Sequence, residues 1–247
     1  MTQLSPVVNQ SFLYVSNLNL AVASNTTLTV AAGQARDSNN VVDMATTATT
    51  TINTAVTGLN GLDTGTLAAS TWYYVYMIAD SSNYNATGFV ASTSATTPTL
   101  PFGYDSYRRI GCVRSDGSSH FIVSTQIGNG TTRKYFYNAF IAVLSAGTAS
   151  TYTAVDLSGA VPPLTNTAVN LMASYTPATA ANTAVFRPTG SSATSILTIS
   201  GVVAAKAQDL QIELLSGIAS SKAEIDYQLA SGSDALTLNV LGFTDNI

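Results

Sequence analysis

The sequence predicts an all-β protein made of antiparallel β-sandwich or jelly-roll domains. Three observations predict it. Helical periodicity is almost absent from the 247 residues, and short runs of period two recur about every ten to fifteen residues instead. Gly, Asn, Ser and Pro separate those runs, which is turn chemistry. Apolar residues make up 46% of the chain, enough for a core, while charged residues make up only 9%, against about 25% in an ordinary domain.

The elements follow in chain order. Residues 1–20, with Pro6 and mostly small or polar types, read as an extended N-terminal arm of the kind that orders against a partner. "TLTVAAG" from Thr27 is the first strand candidate. "MATTATTTINTAV", Met44 to Val56, suits an exposed or edge strand, because Thr loses rotamer freedom in a helix. "STWYYVYMIADS", Ser70 to Ser81, is bulky on both faces: Trp72, Tyr74, Tyr76 and Ile78 point one way, and Tyr73, Val75 and Met77 the other. Both faces therefore need cover, from a second sheet or from a sister chain.

"YRRIGCV" and "SHFIVSTQ" are joined by "RSDGSS", whose Asp116-Gly117 is a hairpin turn signal. "TYTAVDL", "AVNLMASY" and "SILTISG" are further candidates. Three late runs alternate strictly, as half-wet antiparallel strands do. Leu210, Ile212 and Leu214 oppose Asp209, Gln211 and Glu213; Ile225, Tyr227 and Leu229 oppose Glu224, Asp226 and Gln228; Leu236, Leu238 and Val240 share a side. A break at "IGNGTTRK", Ile127 to Lys134, divides the chain into a β-rich domain, 21–132, and a C-terminal jelly-roll-like sandwich, 133–247. A single larger sandwich is the alternative.

The net charge of −4 is spread thinly, and no basic cluster exceeds Arg108-Arg109 or Arg133-Lys134. Phosphate binding needs a basic stripe, so nucleic acid is not an expected partner. No run approaches the roughly 18 apolar residues that span a bilayer, and the N-terminus lacks a signal-peptide pattern. No membrane partner is expected, and synthesis in a cytoplasm is. The lone Cys112 reads as a small buried hydrophobe.

Chemistry-bearing patterns are sparse. His120 is the sole histidine, set at a turn edge with no nucleophile motif nearby. One His and one Cys do not make a zinc site, and "ADSSNYN" and "ARDSNN" read as turns rather than calcium loops. Glu213 and Glu224, the only glutamates, fall on predicted wet faces. Asp63, Asp80, Asp105 and Asp116 fall near turns, where an acid pair for sugar hydrolysis is conceivable but turn geometry is the plainer use. Tyr73, Tyr74, Tyr76, Tyr104 and Tyr107 form an aromatic block that serves core packing or glycan stacking. The sequence thus assigns no catalytic or metal-ligating residue, no cofactor and no binding residues, and no enzymatic activity is expected.

Four segments carry a resemblance: "AAGQARDSNNVVDM", "NGLDTGTLAASTWYYVYMIADS", "TTPTLPFGYDSYRRIGCVRSDGSSHFI" and "TAVDLSGAVPPLTNTAVNLMASYTPA". In this order they resemble a family of structural virion proteins of tailed bacteriophages, over roughly Leu28 to Phe243. The resemblance implies a virion component with no catalytic residues to carry over. A decoration or cement protein on the outer head surface, with the major capsid protein and its own copies (a homotrimer) as partners, is the first expectation. A tail-fibre, collar or baseplate component contacting the host surface is the alternative. Low charge with abundant Thr and Ala fits either, because such a surface is spent on neighbours.

Overall fold

A computed structural model describes residues 14–165, 167–219 and 221–247, with backbone alone for Tyr84 and Asn85. It is all-β, as expected: the described residues hold twenty strands and no helix. The strands form four sheets. A three-stranded sheet joins β1 (Val15–Asn17), β4 (Gly33–Arg36) and β5 (Asp43–Thr46). A four-stranded sheet runs β10 (Ser106–Arg114), β8 (Trp72–Asp80), β9 (Asn83–Ser92), β7 (Gly61–Leu62), with β7 parallel to β9.

The largest sheet has eight strands. Its order is β17 (Gln208–Leu215), β14 (Ala168–Thr176), β20 (Ala235–Asn246), β12 (Thr132–Gly147), β11 (Ser124–Ile127), β2 (Leu20–Ser24), β3 (Thr27–Val30), β6 (Thr50–Asn53). The fourth runs β13 (Thr153–Asp156), β19 (Lys222–Leu229), β15 (Thr183–Pro188), β16 (Leu197–Ser200), with β18 (Gly217–Ala219) also on β19.

Strand β8 answers the demand for cover on both faces. Tyr74, Tyr76 and Ile78 enter one core, which also holds the facing apolar rows of β14, β20 and β19. Tyr73, Val75, Met77 and Ala79 enter a second core with Leu20, Leu28, Val30, Met44 and Ile52. Both covers come from this chain, so no sister chain is required there. Trp72 fastens the two parts: its ring meets Phe243 edge-on at 5.7 Å, and its Nε1 donates to the Ser158 carbonyl at 2.9 Å. Phe243 in turn stacks on Tyr135 at 4.3 Å.

Three expectations need correction. Of the arm expected over 1–20, residues 1–13 lie outside the described residues, but Tyr14 onward belongs to the fold. Val15 pairs with Ala35, and Leu18 and Leu20 are buried. The boundary expected near residue 133 falls at the start of β12, and the eight-stranded sheet runs across it. "IGNG" is the tip of the β11–β12 hairpin, in which Ile127 pairs with Lys134, and Gly128 and Gly130 take the positive φ that such a tip needs. Finally, the Asp116 turn forms, but it closes with only one bridge, Ser115 to Phe121. The chain then leaves for the eight-stranded sheet, where Ser124–Ile127 forms β11.

The alternating runs behave as their pattern demands. In β14, Val169, Leu171, Ala173 and Tyr175 are buried and the residues between them are partly exposed. β6, from the Thr-rich segment, is an edge strand. Asp226 departs from its predicted wet face: it is buried, held by Arg187 Nε at 3.0 Å and the Thr189 hydroxyl at 2.9 Å. Arg187 lies over the Tyr152 ring, 3.7 Å from its centroid, which covers the pair.

Candidate functional site

Buried charge in this protein is spent on fastening strands. Arg109 grips Asp245 at 2.6 Å and the Asn246 carbonyl at 2.9 Å, and Arg108 donates to the Ile247 oxygen at 2.8 Å. The arginine pair of "YRRIG" thereby clamps the end of β20. Arg133, fully buried, donates to Asn19 Oδ1 and to the Gly128 and Asn17 carbonyls, all within 3.0 Å. It pins the turn between β1 and β2, where Asn17 and Leu18 both take positive φ. Burial lowers the pKa of Arg133, because its partners are neutral dipoles rather than a carboxylate.

The bulge in β10 at Ile110 is satisfied by side chains. Gln126 Nε2 donates to the Ile110 carbonyl at 3.0 Å and to the Tyr135 hydroxyl at 2.8 Å. Tyr135 accepts from the Cys112 amide at 3.0 Å, and Gln126 Oε1 accepts from the Leu20 amide at 2.6 Å. Cys112 is buried beside this network, as expected of a small hydrophobe, and burial pushes its thiol pKa far up. A thiol held protonated is a poor nucleophile.

Asp234, also fully buried, accepts from the Ala178 amide at 2.7 Å, Asn182 Nδ2 at 2.8 Å, the Tyr175 hydroxyl at 3.0 Å and the Ser231 amide at 3.2 Å. Burial alone would raise its pKa; the four donors outweigh it and the net shift is downward. A carboxyl with a depressed folded pKa gives stability that is complete above its unfolded value, about 3.9, and fades as pH falls through the folded one. Asp234→Asn is therefore expected to cost stability at pH 7, by about 2 kcal/mol. It should also flatten the acid side of the stability curve below about pH 4. Urea melts of both proteins across pH check it, and parallel acid limbs would refute it.

The other residues singled out in the sequence do not converge. His120 is exposed at its turn, with Nδ1 4.0 Å from Asp116. Asp116 caps that turn through the Ser118 and His120 amides, and Asp105 is bound by Ser81. Asp63 holds the Thr64 and Thr99 amides, and Asp80 the Ser82 amide. Tyr73, Tyr74 and Tyr76 are buried, which removes them as glycan platforms; Tyr104 and Tyr107 are half-buried against the core that holds Tyr74 and Tyr76. Among the described residues, no group of three His, Cys, Asp or Glu is placed to hold a metal ion.

What remains is a surface. The register defines a continuous row across all eight strands of the large sheet: Thr51, Thr29, Ala21, Thr125, Phe136, Gly242, Asn170, Glu213. A flanking row is Ile127, Lys134, Thr244, Ala168, Leu215, and another is Ala142, Asn239, Met172, Gln211. These rows carry one acid, Glu213, and one base, Lys134. Ile127, Phe136 and Leu215 stand 41 to 53% exposed on this face. Beside them β12 slips register between Phe136 and Ile141 and carries Phe140 at 65% exposed. Eight strands at about 4.8 Å spacing make the face about 34 Å wide. Sequence reasoning missed it, because half of its strands are short and its rows combine residues far apart in the chain.

No family model matches the chain, and no curated protein matches it.

Proposed function

We propose that the protein is a non-enzymatic structural component of a tailed-phage virion. It decorates the outer head surface, binds the major capsid protein and stabilises the shell. The observation that carries this reading is the outer face of the eight-stranded sheet. It is broad, nearly free of charge, lined by Thr, Ala and Asn, and studded with exposed Phe136 and Ile127. Few charges mean little desolvation cost when such a face is covered. One row over about 34 Å, flanked by shorter rows across five and four strands, presents on the order of 550 Å² for docking, about two thirds of the ~800 Å² that one partner contributes to a standard interface. The sequence resemblance to virion proteins points the same way. The alternative, host-surface contact from the tail through tyrosine–glycan stacking, loses support because three of its five tyrosines are buried.

The test is addition of purified protein to heads assembled without it, with bound chain located by electron microscopy. Density on the outer shell is expected at the sheet face. Thr125→Lys with Phe136→Asp should weaken binding at least tenfold, about 1.4 kcal/mol, with an unchanged melting temperature. Heads that acquire no density, or a variant that binds as well, would reject the role.

A further inference from the structure

Among the described residues most edge strands of the sheets are short or closed, and one is neither. Edge strands β1, β5, β6, β7, β13 and β16 are four residues or fewer. The nine-residue edge of β10 is filled from its own chain. The Tyr107 carbonyl takes the Ser38 amide, the Ile110 carbonyl takes Gln126, the Cys112 amide meets Tyr135, and the Arg114 carbonyl takes the Ile122 amide. β17 has eight residues in unbroken register with β14, no proline and no bulge. Among the described residues no strand lies on its outer side. An edge that long and regular is a template for another strand.

We infer that β17 is a self-association edge, pairing antiparallel with β17 of a second copy about a two-fold axis through Ile212. Charge selects the register. A two-fold perpendicular to the sheet places residues of the same face opposite each other. An axis at Gln211 would set Asp209 against the partner's Glu213 twice over, and like charges directly opposed are destabilising. An axis at Ile212 sets Gln211 against the partner's Glu213, Asp209 against the partner's Leu215, and Leu210 against the partner's Leu214. The apolar inner row then runs on unbroken from one sandwich into the next.

Area supports a second copy as the occupant. Leu210, though on the inner face of its sheet, is 40% exposed at the rim of the sandwich. Val202, Val203, Leu215 and Ile218, on β17 and the segments flanking it, are 41 to 75% exposed. A specific interface needs about 1,200 Å² in total, and these exposed side chains together with the open strand edge contribute toward it on both copies. The pairing closes at two copies, unlike the three-fold arrangement expected from the sequence, and it does not depend on the particle role proposed above.

Sedimentation of the purified full chain at micromolar concentration should give twice the 25.5 kDa chain mass. The double variant Gln211→Cys with Glu213→Cys should form two disulfides across the axis and run as a covalent dimer after mild oxidation. Either single variant should not, since each new thiol would then face a residue without one; Cys112 is buried and does not compete. A monomer, a trimer, or equal cross-linking of single and double variants would overturn the inference. A monomer would leave the edge to a strand from another protein.

Discussion

Replacing Gly242 with alanine is expected to destabilise the protein by more than ~4 kcal/mol, a loss that single substitutions reach only through a severe defect. A Cβ built on Gly242 would lie 1.9 Å from the Tyr135 carbonyl oxygen and 2.9 Å from its carbon. Neither is the end of a flexible side chain, so backbone must move. Gly242 sits on β20, between Phe136 of β12 and Asn170 of β14. Movement there opens the largest sheet at its centre, one residue from the Phe243 ring that joins Trp72 to Tyr135. Trp72, the only tryptophan, reports the event directly by fluorescence during urea unfolding. Gly117→Ala is the control: nothing lies within 4 Å of its Cβ position, and a change within ~0.5 kcal/mol is expected. A Gly242→Ala protein within about 1 kcal/mol of the parent would mean that the β12 bulge yields easily.

Much of this architecture was legible where structure is local. β14 alternates in sequence and in burial throughout, because a half-wet strand writes period two into its residues; β17, β19 and β20 follow the same pattern except at Leu210, at Asp226 and beside Gly242. The doubled bulk of "WYYVYMI" announced a strand covered on both sides, and both covers exist. What stayed hidden is long-range. β2 joins β11 through Thr125 and Ala21, and nothing near either residue signals the pairing. That single junction, with the β11–β12 hairpin, carries one sheet across the expected boundary. The arginines misled for the same reason. Read as weak basic clusters, they are clamps, and Arg108, Arg109 and Arg133 each reach an acceptor more than a hundred residues away. The candidate surface is long-range as well. Its central row draws on eight strands from Ala21 to Gly242, and only the register assembles it.

The second large effect is expected at Asp245. Its carboxylate is fully buried, paired with Arg109 at 2.6 and 3.4 Å. Asp245→Ala leaves the Arg109 guanidinium buried without its counter-charge, and such losses run to about 3–5 kcal/mol. The loss should change little between low and high salt, since ions screen buried pairs weakly. The informative variant is Arg109→Met with Asp245→Leu. Apolar replacement of a buried pair is often neutral, because the desolvation cost of both charges disappears with their attraction. The double variant is therefore expected to recover most of the stability lost by Asp245→Ala. Its C-terminal residues should nevertheless be held less firmly, since the Arg109 bond to the Asn246 carbonyl is lost too. Hydrogen exchange at Thr244 to Ile247 reads that difference. Full recovery of stability with faster exchange there makes the pair a device for placing the end of β20. A double variant as unstable as Asp245→Ala would instead make the pair a net source of folding energy.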